Sequence, residues 1–164
     1  TRLDGELLYQ IISQRPDYSF VFTGPEDDGF RQHRIHSLKN AYFTGQKKVD
    51  ELPAYITAYD VCINPQMVND ITDGNYPLKI DEYLAMGKPT VATSTHTMRH
   101  IFADHTHLAT NPEEWLSAID RAVTEADDKE LAKQRIAFAE THSWGHSVKK
   151  IYGIIDNFLK EKAT

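Results

Sequence analysis

Asn75-Tyr-Pro-Leu-Lys-Ile-Asp-Glu-Tyr-Leu-Ala-Met-Gly-Lys-Pro-Thr-Val-Ala-Thr93 contains, in order, a helix start, a helix stop, a turn and a strand. Pro77 suits the first turn of a helix, where its missing N–H would have no partner anyway. Gly87 suits the end, and Lys88-Pro89 turns the chain into the β-branched run Thr90–Thr93. Directly upstream, Asp60-Val-Cys-Ile-Asn64 is an apolar run ended by Pro65, so it reads as a buried strand. The polar stretch between them, Gln66 to Tyr76, is rich in Asn, Asp and Gly and reads as a loop. Strand, loop, helix and strand in that order make a βαβ unit.

The same alternation continues on both sides. Upstream, Leu7, Leu8, Ile11 and Ile12 stand at helical spacing within Asp4–Arg15. Tyr18–Thr23 reads as a strand closed by Gly24-Pro25. Gly29–Asn40 is polar, a loop with a short helix, and Ala41–Thr44 is a second strand stopped at Gly45. Asp50 can cap a helix with Leu52, Tyr55, Ile56 and Tyr59 on its apolar side. Downstream, His107–Ala109 reads as a last short strand. Asn111-Pro112-Glu113-Glu114 combines a cap, a first-turn proline and two acids at the positive end of the helix dipole. That helix should reach about Ala126, with others from Lys129 to about Thr141 and from Ser143 onward.

Strands alternating with helices require right-handed crossovers. The expected fold is therefore α/β and Rossmann-like, with a mainly parallel sheet covered by helices on both faces. No repeat, low-complexity tract or boundary divides the sequence, so residues 1–164 are expected to form a single domain. Such a fold normally opens with a strand and a phosphate-binding turn, whereas this sequence opens with a helix. The expectation is that the first strand precedes Thr1 and that the sequence is a fragment of a longer protein.

Composition narrows the function classes. Hydrophobic residues make up 40% and charged residues 26%, the balance of a globular protein. With 24 acidic against 18 basic residues the net charge is -6, which disfavours nucleic acid as a partner. A local basic pocket for a small phosphate is compatible with it. The single cysteine, Cys62, has no internal disulfide partner, which fits a reducing, cytoplasmic compartment. No apolar stretch approaches the length of a membrane span.

In open parallel sheets ligands bind beyond the carboxyl ends of the strands. The candidate loops are Gly24-Pro25, Gly45-Gln46-Lys47, Pro65-Gln66 and Asn75-Tyr76-Pro77. The last leads into the helix beginning at Leu78, whose N-terminal N–H groups and dipole suit an anionic phosphate. Lys79 can add a full positive charge. Glu82, three residues on, shares a helix face with it and can accept hydrogen bonds from both hydroxyls of a ribose. On spacing alone the commoner reading of two such side chains is an ordinary surface ion pair.

The 75–93 stretch closely resembles the signature of the glycosyltransferase group 1 family, "K-x-x-E-Y-L-A-x-G-K-P-V-V-A", found in the donor domain of enzymes with the two-Rossmann-domain GT-B fold. Phe43-Thr-Gly-Gln-Lys-Lys-Val-Asp-Glu-Leu-Pro-Ala-Tyr-Ile56 with Tyr59-Asp-Val-Cys-Ile-Asn-Pro65 resembles the family's "G…ELPxYL…ADVxLxP" run, and Phe20–Pro25 resembles the strand and turn before it. The resemblance implies a nucleotide-sugar-binding half of a GT-B transferase that moves a sugar from a nucleoside diphosphate to an acceptor hydroxyl in polysaccharide or glycolipid synthesis. It implies that Glu82 binds the ribose and that Lys79 contacts the phosphates. Gly24, Gly45 and Lys47 would shape the walls around base and phosphates, with Tyr76, Pro77 and Leu78 at the mouth. No metal or other cofactor is implied beyond a UDP- or GDP-sugar donor. The acceptor domain, with any catalytic base, would lie N-terminal in the same chain, so no catalytic residue is assigned and the fragment alone should be inactive. Peripheral membrane association of the full-length enzyme is left open.

One departure stands out. Many members carry a further glutamate eight residues before the ribose-binding one, where it contacts the donor sugar; here that position is Gly74, with Asp73 one out of register. Gly74 keeps a rival reading open, a non-catalytic Rossmann-like interaction module. A nucleotide-sugar epimerase of the same architecture is the other rival, although its catalytic acids are not evident. His96, His100, His105 and His107 lie close together, but no cysteine or carboxylate completes a zinc set, and solvent-exposed histidines are expected. The stripe Trp144, Val148, Ile151, Tyr152, Ile155, Phe158 and Leu159 is expected to pack on the domain's own core, with part of it free to cross to the absent N-terminal half.

Overall fold

The structure, a computed structural model, describes residues 3–162. Asp4 Oδ1 accepts the Leu7 N–H at 3.0 Å and caps α1, Gly5–Ser13, with Leu8, Ile11 and Ile12 on its buried side. β1, Phe20–Thr23, pairs in parallel with β2, Ala41–Gly45; α2, Asp28–Arg31, and a 3-10 turn at Arg34–Ser37 lie between them. α3, Leu52–Ala58, leads to β3, Cys62–Asn64. Then come α4, Asp70–Asp73, α5, Leu78–Ala85, and β4, Thr90–Thr93. A wide π-type turn at Met98–Phe102 and a 3-10 turn at Ala103–His105 precede β5, His107–Ala109. The chain closes with α6, Pro112–Thr124, α7, Lys129–Glu140, and α8, Trp144–Lys162.

The expected α/β architecture with parallel strands and flanking helices is present. β4 pairs in parallel with β3 on one side and β5 on the other. Its side chains alternate between faces, as a strand requires. Val91 joins the cluster containing Leu8, Ile12, Trp115 and Ile119 of α1 and α6, whereas Ala92 joins Ile80, Leu84, Phe102 and Ala139 on the α5–α7 side. Helices therefore cover both faces. The sheet itself is divided: β1-β2 form one part and β3-β4-β5 another, with no pairing between β1 and β3.

Three expectations are corrected. Asp50 does not cap α3, whose N-cap is Glu51 with no side-chain hydrogen bond to the helix start. The supposed loop Gln66–Tyr76 contains α4, because Asn69 and Thr72 form a reciprocal capping box that closes one turn in a polar sequence. The apolar stripe of α8 is not core: Trp144 is 85% exposed, Ile151 56% and Phe158 54%. Periodicity predicts an amphipathic helix correctly but says nothing of what covers it.

The end of α5 is held by close packing. Gly87 has φ 72° and a Cβ there would stand 3.1 Å from Ala132 Cβ of α7. Buried Arg135 pairs with Glu125, donates from Nη1 to the Gly87 carbonyl at 3.4 Å, and so anchors α7 to that turn. Glu125 also meets His107 Nε2 at 3.0 Å.

Two stability measurements check this packing. Trp115 is fully buried and its indole N–H meets no acceptor, so apolar contact holds the ring. Trp115→Ala should cost about 3–5 kcal/mol in denaturant unfolding, and Trp115→Phe markedly less. Gly87→Ala should cost at least about 1–2 kcal/mol, since it combines a left-handed backbone with a short contact.

Candidate functional site

Within each part of the sheet the strands run parallel and so end on one edge, and the loops there carry most of the residues singled out in the sequence. α5 starts at that edge, after β3 and its loop. Pro77 precedes it with no side-chain cap; the Leu78 and Ile80 N–H groups donate to the carbonyls of Tyr76 and Pro77 at 3.2 and 2.8 Å, and Asp81 stands in the first turn. Lys79, Glu82 and Tyr83 fall at i, i+3 and i+4, so they share a face. All three line a cavity of about 670 Å³ that is also walled by Tyr55 and Tyr59. The structure thus brings the lysine and the carboxylate into one concave space beside the helix start.

The tyrosines were not singled out as site residues in the sequence, where Tyr55 and Tyr59 read as an apolar helix face. The available signal was the helical spacing of Tyr83 from Lys79. Tyr59 OH lies 2.6 Å from Thr23 Oγ1, which lies 2.9 Å from Thr44 Oγ1, so three hydroxyls tie α3 to the ends of β1 and β2. Burial, the largest effect, pushes the Tyr83 phenol well above its usual range, aided by the nearby charge on Glu82. It is therefore a neutral wall residue across the physiological range.

The other candidates sit around this space without lining it. Gly24 and Gly45 end β1 and β2, and the Gly24 N–H donates to the Gly45 carbonyl at 3.0 Å. Lys47 places its Nζ 5.3 Å from the centre of the Tyr55 ring, a cation–π contact at the cavity's outer wall. Leu78 is 65% exposed. Tyr76 is engaged within the fold: its OH donates to Asp81 Oδ2 at 2.6 Å, and Asp81 Oδ1 is 2.8 Å from His142 Nδ1. Burial first and the Asp81 bond second raise the Tyr76 phenol above its ordinary value. This trio braces the loop before α5 against the end of α7.

Gly74 caps the end of α4, with open space where a Cβ would stand. The neighbouring Asp73 accepts the His96 N–H through Oδ1 at 2.7 Å. The four histidines disperse. His96 and His100 are exposed with rings 4.1 Å apart, His105 stacks on Phe138 at 4.0 Å, and half-buried His107 meets Glu125. The expectation of uniform exposure fails for His105 and His107 because both face the α6–α7 layer. Among the described residues no group of three or more His, Cys, Asp or Glu stands where it could hold a metal ion. No described helix is long and apolar enough to cross a membrane.

Comparison with known proteins agrees with this fold and edge. A sequence profile of the family described as glycosyl transferases group 1 matches residues 6–125, and the chain belongs to that family. It is 27% identical over 157 residues to a candidate teichuronic acid biosynthesis glycosyltransferase, TuaH, of Bacillus subtilis (strain 168). That alignment covers 92% of this chain and 39% of the relative, so the chain spans well under half of that protein's length. Among solved structures it is similar to AviGT4, a glycosyltransferase involved in avilamycin A biosynthesis, with a TM-score of 0.53 and 14% identity over 86% of this chain and 48% of that one. The last likeness speaks for the GT-B half fold.

Cys62 lines the same cavity, and burial pushes its thiol up to about 12. A raised value disfavours the thiolate, so labelling by a disulfide reagent near pH ~8 should be far slower than for a free cysteine with its pKa of about 8.5. Unfolding in guanidinium should restore the rate. Fast labelling of the native chain would place the thiol outside the wall.

Proposed function

We propose that this chain is the donor-binding domain of a glycosyltransferase, holding the nucleoside diphosphate of an NDP-sugar while an N-terminal domain of the same enzyme supplies the acceptor. The observation that supports it is the joint placement of Lys79 and Glu82 in one cavity at the N-terminus of α5. In this reading Glu82 accepts hydrogen bonds from the ribose hydroxyls, and Lys79 with the first turn of α5 faces the diphosphate. Negative charge grows on the diphosphate as the sugar–oxygen bond breaks. A fixed ammonium and helix dipole stabilise that charge without reorganising, so the leaving group needs no bound metal. Gly24, Gly45 and Lys47 flank the base and phosphates. The acceptor belongs to a polysaccharide or glycolipid, in keeping with the teichuronic acid biosynthesis for which the Bacillus subtilis relative is named, and the enzyme works at the cytoplasmic side where nucleotide sugars are made.

Calorimetric titration with UDP, GDP and ADP tests the reading. One nucleotide should bind saturably, and Glu82→Ala and Lys79→Ala should each weaken it by about 10- to 100-fold, as expected for losing hydrogen bonds to a charged group. Unchanged affinity in Glu82→Ala would remove that residue from the site. Absence of binding by all three would favour the non-catalytic interaction module.

A further inference from the structure

β4 ends at Thr93, and the chain leaves the carboxyl edge through Ser94 and Thr95 into the π-type turn at Met98–Phe102. This connection is anchored from beneath. Thr95, Thr97, Met98 and Phe102 are all buried, and the Arg99 N–H donates to the Thr95 carbonyl at 3.0 Å. The Met98 N–H donates to Thr95 Oγ1 at 3.3 Å, and Asp73 Oδ1 accepts the His96 N–H at 2.7 Å. On the outer side of this fixed backbone, His96 and His100 are both exposed. They stand four residues apart, the spacing that places two side chains on one helical face. Their ring centres are 4.1 Å apart with planes at 59°, so the rings are adjacent without being stacked.

Other histidines are taken up by the fold. His33, His36, His107 and His142 each lie against a carboxylate, and His105 stacks on Phe138. The rings of His96 and His100 meet each other instead. We propose that His96 and His100 bind one borderline divalent cation, Zn²⁺, Ni²⁺ or Cu²⁺, through a ring nitrogen from each. Imidazole suits these metals, whereas Mg²⁺ and Ca²⁺ take oxygen ligands.

The geometry fits such a chelate. With metal–nitrogen bonds of about 2.0–2.1 Å, two neighbouring imidazole ligands place their ring centres roughly 4.5–5 Å apart. The observed 4.1 Å differs from that by a small rotation of two exposed side chains. The buried anchors hold both rings close before any metal arrives, which removes much of the ordering cost of binding. Arg99, the nearest cation in sequence, is tethered by Nη1 to the Ser94 carbonyl at 2.6 Å, and the Asp73 carboxylate at the His96 N–H offsets its charge. No third His, Cys, Asp or Glu completes the set among the described residues. Water therefore fills the remaining positions, and the metal stays open to an outside ligand, unlike a closed structural site. Neither ring lines the cavity that holds Lys79 and Glu82.

Calorimetric titration with Zn²⁺ in a non-coordinating buffer tests the proposal, with NMR of the histidine ring protons to locate the metal. One saturable site should appear, with the His96 and His100 signals shifting together. His96→Ala and His100→Ala should each weaken binding by about 10-fold or more, because a two-point attachment becomes a single contact. His146→Ala, at an exposed position on α8, should bind as the native chain does. Added Zn²⁺ should raise the thermal midpoint of the native chain and of His146→Ala but not of the other two variants, since a ligand that needs the folded pair shifts unfolding by mass action. Without metal all four midpoints should agree. Unchanged affinity in either His96→Ala or His100→Ala would overturn the proposal, as would no saturable binding or an equal response to Mg²⁺. No nucleotide enters the experiment, so its outcome is independent of donor binding.

Discussion

The structure depends on the burial of β4 on both faces. Thr90, Val91, Ala92 and Thr93 are all buried, which is how strands of parallel sheets sit when helices cover each side. Val91 commits one side to α1 and α6, and Ala92 commits the other to α5 and the α7 layer. Because β4 is paired along both edges, it also fixes where β3 and β5 end. The carboxyl edge of the sheet, and with it the start of α5, is set by that one strand.

Polar contacts then hold the site-bearing helix from both ends. At its start, Tyr76, Asp81 and His142 tie the loop to the end of α7. At its finish, Gly87 lets Ala132 approach and Arg135 reach the turn's carbonyl. A helix clamped in this way presents Lys79, Glu82 and Tyr83 to the cavity in one orientation. The glycine and the lysine of the family pattern thus act at different levels, one on backbone packing and the other facing the cavity.

The cavity has two kinds of wall. At the α5 side it offers charge and tyrosine walls, and along β1 and β3 it offers strand edges with apolar flanks. Unpaired edges are ordinarily liabilities that proteins cover. The division of the sheet and the exposure of α8 have the same character, since each leaves a surface uncovered among the described residues.

Local signals settled much of this protein from sequence alone. Helical spacing in α1 and α6, Pro77 and Gly87 around α5, and the β-branched run of β4 placed the elements to within a few residues, because caps, turns and periodicity act over one or two turns. The shared face of Lys79 and Glu82 was legible for the same reason. Tertiary structure alone decided what those elements meet. It turned Asn69 and Thr72 into a capping box, gave Tyr76 to Asp81 and His107 to Glu125, put Tyr59 beside Thr23, and left Trp144 uncovered. Each of those outcomes depends on residues distant in sequence or on a neighbouring surface, and no local pattern carries the free energy of a contact that forms only once the chain has folded back on itself.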